Sequence, residues 1–222
     1  MPIERDVLRQ VPLFARLNDD DLARVAAITV ERRYERGDII LLEGDRGGAL
    51  HYVREGVIKI FKTSREGKEQ VLRLIPAGGT FNDVPALDGG PNPASAAALE
   101  ASVVYATPSS ALRRLVEERP AVAQAAILSF AAALRHLVAL VEDLSFRHVT
   151  ARIAKILLES ELEQDRTGQP RHRLTQQEMA AMAGTAREMV GRALKELEAA
   201  GAIELRHGRI TVISRERLGL PG

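Results

Sequence analysis

The 222-residue chain contains no cysteine. Without thiols there is no disulfide framework, no cysteine-ligated iron–sulfur cluster and no zinc finger, and the chain fits a reducing interior. Neither charge sign dominates, since 31 Lys/Arg stand against 30 Asp/Glu for a formal net charge of +1. That balance argues against nonspecific coating of nucleic acid and leaves room for one localised basic surface. The N-terminus, MPIERDVLRQVPLF, lacks a continuous apolar run. It predicts neither a signal peptide nor a membrane span, hence a cytoplasmic chain without a membrane partner. Histidine is sparse as well. A cupin-like metal enzyme needs several histidines and a carboxylate converging on one ion, and the stretch before Thr107 has only His51. No Walker loop, nucleophile elbow or paired zinc motif occurs. The chain is therefore expected to be no enzyme, and to carry no metal and no cofactor.

What is present divides by its period. Hydrophobic residues make up 45% of the chain, enough to bury a core in one large or two modest domains. After a short helix over NDDDLARVAAI, capped by Asn18, come runs rich in Val, Ile, Leu and Tyr: DIILLE, ALHYVREG, VIKIFKTS and EQVLRLI. Gly37, Gly44, Gly56, Gly67 and Gly78 punctuate them, and REGK at 65–68 has the look of a hairpin tip. Two weaker runs, ASAAALEA and SVVYAT, follow. Short strands at regular spacing with glycine turns predict an all-β barrel or jelly roll. Thr107 and Pro108 then suit an N-cap and first helical residue, with a helix to about Glu118 and a second restarting at Pro120. In that second helix Ala123, Ile127, Phe130, Leu134, Leu137, Val141 and Leu144 recur by fours and threes. A seam this narrow favours pairing with a second copy, so a homodimer is expected.

Charge gathers towards the C-terminus, where Arg166 to Arg217 hold ten Lys/Arg against six Asp/Glu. In LTQQEMAAMAG, Thr175 and Glu178 have capping-box spacing, and Gly184 marks a break. The next stretch, TAREMVGRALKELEAAG, repeats that spacing at Thr185 and Glu188, and its apolar stripe is Val190, Leu194 and Leu197. Two short helices joined by a tight turn make a helix-turn-helix, whose second helix enters the major groove. Arg187, Glu188, Gly191, Arg192 and Lys195 share the other face, because positions three and four apart are neighbours. Arginine donates two hydrogen bonds to guanine, glutamate accepts one from cytosine, and Gly191 lets the helix approach closely. AIELRHGRITVIS reads as a hairpin around His207 and Gly208, a wing. Lys195, Arg206 and Arg209 are candidate phosphate contacts, and Thr185 and Gln176 complete the candidate DNA-binding set.

The order of glycine-punctuated barrel, long heptad helix and winged helix-turn-helix from RHVTARIAKILLE onward resembles the Crp/Fnr family of bacterial transcription factors over nearly the whole chain. The family's Arg-Glu-x-Val-x-Arg pattern stands here as Arg187, Glu188, Met189, Val190, Gly191 and Arg192. The resemblance implies an α+β architecture: a cyclic-nucleotide-binding-like barrel over 1–119, a dimerisation helix and hinge over 120–147, and a winged helix-turn-helix over 148–222. It also implies double-stranded DNA and RNA polymerase as partners, base reading by Arg187, Glu188 and Arg192, and TGTGA-like half-sites. Two of them would lie roughly 34 Å apart, a spacing taken from a docking rule of which a family member is itself an example.

The cassette that holds cyclic nucleotides in the family resembles Phe-Gly-Glu, a short apolar run, then Arg-Ser/Thr-Ala. This chain has FNDVPALDGGPNPASAAA. Asn82 replaces the glycine, Asp83 the ribose-binding glutamate, Asn92 the phosphate-binding arginine and Pro93 the hydroxyl residue. Asparagine is not a bidentate cation, and proline has no N–H for an anion. An effector pocket over Asn82, Asp83, Val84, Asn92, Pro93, Ala94 and Arg135 is therefore expected to serve an unknown small molecule rather than a cyclic nucleotide. The alternatives within the family are a cyclic-AMP-responsive regulator and a haem-based gas sensor. For haem, His51 and His136 are the only ligand candidates outside the DNA-binding half and its hinge.

Overall fold

The computed structural model describes residues 3, 5–46, 48–167, 173–206 and 209–218. In chain order its elements are α1 (Arg5–Arg9), α2 (Asp19–Ile28), β1 (Val30–Tyr34), β2 (Ile39–Leu41), β3 (Ala49–Glu55), β4 (Val57–Thr63), β5 (Glu69–Pro76) and β6 (Thr80–Phe81). Then follow α3 (Asp83–Asp88), β7 (Ser95–Ala98), β8 (Ser102–Pro108), α4 (Ser109–Glu118), α5 (Pro120–Phe146) and α6 (Val149–Thr167). The chain closes with α7 (Gln176–Ala183), α8 (Arg187–Ala199), β9 (Ile203–Arg206), β10 (Arg209–Val212) and α9 (Arg215–Leu218). It separates into two compact units, Met1–Lys62 with Arg73–His136, and Thr63–Leu72 with Leu137–Gly222.

In the first unit the expected barrel is built from two four-stranded sheets, ordered β1-β8-β3-β6 and β2-β7-β4-β5. Strand alternation decides which side chains face between them. Val53, Phe81 and Val104 from one sheet meet Ile58, Ile75, Ala96 and Ala98 from the other in one buried cluster. The opposite face of the first sheet offers Leu50, Tyr52 and Tyr105 to Leu22, Leu112 and Val122 of the helices. Each fully buried leucine here is worth about 1.5–3 kcal/mol over exposure. At the hairpin tip Ser64 N–H donates to Lys68 O at 2.8 Å. Gly67 there has φ 81, the left-handed region that glycine enters without a Cβ clash. Asn18 caps α2 as expected, its side chain accepting from Asp21 N–H at 2.8 Å. Asp21 is buried and takes two bonds from Arg119, at 2.5 and 2.9 Å. The Arg119 bond holds its carboxyl below the ordinary range, against the opposing effect of burial.

The expected helix start at Thr107 and Pro108 is corrected. β8 runs through Pro108, which pairs with Ala49, and α4 begins at Ser109. Thr107 Oγ1 lies 2.9 Å from buried Thr29 Oγ1, so its hydroxyl ties strand to helix instead of capping α4. Pro120 does open α5, a 27-residue helix with only Val122 and Ala126 buried. Of the expected seam, Ile127, Leu134, Leu137, Val141 and Leu144 are exposed, and Ala123 and Phe130 are half-buried. Leu128 and Val138 are exposed as well, so the uncovered apolar face is wider than a strict heptad seam. By length and composition alone, α5 could cross a membrane.

Candidate nucleic-acid interface and effector pocket

The second unit's core joins Ile153 and Leu157 of α6, Met179 and Ala183 of α7, Val190, Leu194 and Leu197 of α8, and Ile203 of β9. α7 starts with the expected capping box: Glu178 N–H donates to Thr175 Oγ1 at 3.2 Å, and Thr175 N–H donates to Glu178 Oε2 at 2.6 Å. It ends at Gly184, φ 61, whose N–H donates to Ala180 O. Arg152 Nε donates to Ala183 O at 2.8 Å, so an α6 side chain satisfies a carbonyl at the end of α7.

Thr185 does not cap α8. Its N–H donates to Ala180 O at 3.0 Å, so it closes the turn that ends α7, and the N-cap is Ala186, with no side-chain cap bond. The tight turn leaves too few residues for Thr185 to serve both helices. Beyond the last turn of α8, Gly201 takes φ 69, the left-handed region that suits glycine after a helix.

α8 buries Val190, Ala193, Leu194 and Leu197 and exposes Arg187, Glu188, Arg192 and Lys195. Among the described residues, none of these four makes an ion pair. A Cβ on Gly191 would meet only Gln176 Oε1, at 4.0 Å. The glycine is thus not required by packing inside the chain, and exposed Gln176 lies beside the same face. β9 and β10 pair antiparallel, with Arg206 opposite Arg209. Arg206 Nη2 is held 2.6 Å from Glu204 Oε1, which partly answers its charge, whereas Arg209 is exposed. His207 and Gly208, the expected turn of this wing, lie outside the described residues. Exposed cationic and hydrogen-bonding groups on one convex helix tip can reach base edges and phosphates.

The residues expected to line an effector pocket have a different character. Asn82 is in the left-handed region at φ 65, a conformation asparagine tolerates better than most, and its Nδ2 donates to Ala49 O at 3.1 Å. Asp83 opens α3, a helix no periodicity announced, and its buried Oδ1 has no hydrogen-bond partner among the described residues. Burial pushes its carboxyl up, against the opposing pull of the Thr80 hydroxyl and the Arg73 charge. Val84 is exposed and Ala94 buried. Asn92 is buried and stitches the 42–45 turn: its Nδ2 donates to Leu42 O at 3.0 Å and its N–H to Asp45 O at 2.9 Å, and its carbonyl accepts from Gly44 N–H at 2.9 Å. Pro93 O accepts from Lys62 Nζ at 3.3 Å. Arg135 is exposed on α5 and makes no ion pair among the described residues.

His51 is buried and stacked on Phe81 with ring centroids 4.8 Å apart. Burial lowers its pKa to about 4, and its Nδ1 has no hydrogen-bond partner among the described residues. His136 is exposed on α5. Among the described residues no three His, Cys, Asp or Glu gather into a metal-binding group.

A helix-turn-helix with an exposed cationic face downstream of a two-sheet β fold is the arrangement of a DNA-binding transcription regulator. Residues 31–119 match the family of the cyclic nucleotide-binding domain, and residues 151–219 match that of the Crp-like helix-turn-helix domain. The cyclic AMP receptor protein of Thermus thermophilus is 32% identical over 201 residues, covering 90% of this chain and 92% of that protein. A CRP-like cAMP-activated global transcriptional regulator of Mycobacterium tuberculosis is 29% identical, covering 87% and 90%. In fold, the structure of FixK2 from Bradyrhizobium japonicum superposes with a TM-score of 0.77 at 23% identity, covering 86% of this chain and 96% of that one. The chain belongs to the Crp/Fnr family of transcription regulators.

Proposed function

We propose that this regulator works in the cytoplasm as a homodimer that reads two TGTGA-like half-sites and takes its signal through the barrel without a cyclic nucleotide. The division of labour follows the parts: barrel over 1–119, dimerisation helix and hinge over 120–147, reading head over 148–222. The observation that carries the reading is the tip of α8, where Arg187, Glu188 and Arg192 stand exposed and, among the described residues, without ion pairs above a buried opposite face. Arg187 and Arg192 are assigned to guanine and Glu188 to cytosine. Lys195 and Arg209 answer phosphates, with Thr185 and Gln176 beside them. RNA polymerase is the further partner.

A second copy is the proposed cover for the apolar face of α5. A lipid bilayer suits it poorly, because Arg135 and Glu142 are exposed on the same helix and a charge inside hydrocarbon is costly. A shift at this seam would turn the reading heads about residues 145–148, provided the effector binds the two states unequally. The absence of a cation at positions 92 and 93 supports a signal other than a cyclic nucleotide. The competing reading, a cyclic-AMP-responsive regulator, is favoured by the names of the two relatives above. Adding cyclic AMP to a DNA-binding titration separates them: no change in affinity is expected, and strong stimulation would establish the competing reading.

A further inference from the structure

We infer that Arg152 is a positioning residue for DNA reading: one guanidinium bonds the ends of two helices and so fixes the orientation of α8 against the end of α5. This rests on the reading of α8 as the base-contacting helix and of α5 as the seam between two copies.

The groups involved all lie in the second compact unit. Arg152 is half-buried in the first turn of α6. Its Nε donates at 2.8 Å to the carbonyl of Ala183, the last residue of α7, and its Nη1 donates at 2.5 Å to the carbonyl of Arg147, the residue after α5. The last carbonyls of a helix lack partners within it and form the negative end of its dipole, so one cation answers two helix ends at once. Arg152 makes no ion pair among the described residues, which leaves its fork to the two carbonyls. A lysine cannot span both, because an ammonium is a point charge and a guanidinium donates along fixed, divergent directions.

Further bonds close the frame. Arg147 Nε lies 2.8 Å from Asp143 Oδ1 of α5, and Lys155 of α6 bonds the other oxygen of that carboxylate. On α8, Glu196 Oε2 accepts from Thr150 Oγ1 of α6 at 2.6 Å. The contacts thus run from the end of α5 through α6 to both helices of the helix-turn-helix. Turning the head about residues 145–148 requires Arg152 to release a carbonyl, which must then find another donor. In a pair of copies, a fixed orientation becomes a fixed distance between two α8 tips. One added base pair moves a half-site by about 3.4 Å and turns it by about 35°, so spacing reads out the clamp.

The test is binding of the full chain and its variants to duplexes carrying two TGTGA half-sites at a series of spacings, and to a duplex carrying one. The parent chain should lose about tenfold or more for a one-base-pair departure from its best spacing, as simultaneous engagement fails. Arg152→Gln should cut that penalty to about threefold or less, because a looser head reaches more spacings. Its affinity for one half-site should stay within about twofold of the parent, since Arg152 is distant from the base-reading tip. Arg152→Lys should behave in the same way, and it stands in if Arg152→Gln fails to fold. A second measurement needs no DNA. Because the chain has no cysteine, Glu142→Cys with Ala199→Cys takes spin labels at exposed sites on α5 and α8 alone. Diluted into unlabelled chain, this protein should show one narrow distance between labels, and a broad one once Arg152→Gln is added. An unchanged spacing penalty or an unchanged distance width in both Arg152 variants overturns the inference. Equal losses on one and two half-sites overturn it too, as the mark of a damaged fold. A parent chain that binds no duplex or ignores spacing sinks the paired-head reading and the inference with it, whereas a spacing-sensitive parent with equally sensitive variants sinks the inference alone.

Discussion

The two candidate sites treat polar groups in opposite ways. At the α8 tip charged side chains are exposed and make no ion pair among the described residues, and the backbone beneath them is held by a buried apolar face. In the barrel several polar groups are buried: Asn92 is tied to a neighbouring turn through its Nδ2, and among the described residues its Oδ1, Asp83 Oδ1 and His51 Nδ1 have no hydrogen-bond partner. A surface built to meet a highly charged polymer can keep its chemistry in water until contact. A pocket for a small molecule must hold its chemistry at a desolvation cost that the ligand offsets.

That contrast can be broken in several places. The largest effect is expected from Ile127→Asp with Val141→Asp, which charges the exposed face of α5 without touching a buried residue. Light scattering should report a monomer, and affinity for a two-half-site duplex should fall by roughly a hundredfold or more as the linked second contact is lost. A variant that stays dimeric removes the seam from the account. Next comes His51. Its folded pKa of about 4 lies below the ordinary 6.5, so the unfolded chain binds the extra proton first as pH falls. Stability should drop between those values, by on the order of 3 kcal/mol in all. His51→Phe keeps a ring on Phe81 and should flatten that part of the denaturation-midpoint profile relative to the parent. An unchanged slope would mean His51 is not buried neutral. Smaller again, Gly184→Ala places a Cβ 2.8 Å from Leu144 Cδ2 and from Gln70 Oε1, at a positive φ. Chemical denaturation should register about 1 kcal/mol or more of lost stability. The mildest is Lys195→Ala, which should weaken specific and scrambled DNA alike and lower the salt slope by about 1.

The same contrast explains what could be read from the residues alone. Helix faces follow from spacing, so the α8 stripe, the Thr175–Glu178 capping box and the apolar character of α5 were legible. Thr185 was misplaced because two helices compete for one tight turn, and the closing bond to Ala180 took it. The wing strands were legible, and Arg206 proved to be paired with Glu204, which no spacing announces. β1 went unread, since Val30 to Arg33 are exposed on both faces and alternation is absent. α3 was hidden by its brevity and by Pro85 inside it.

The most direct test is competition binding of the full chain and its Arg187→Ala variant, using a twofold-symmetric TGTGA duplex and a scrambled duplex at fixed salt. The account predicts two chains per symmetric duplex and, for the variant, a loss of about 1–3 kcal/mol of preference with little change on scrambled DNA. Equal losses on both duplexes, or one chain per site, would contradict it.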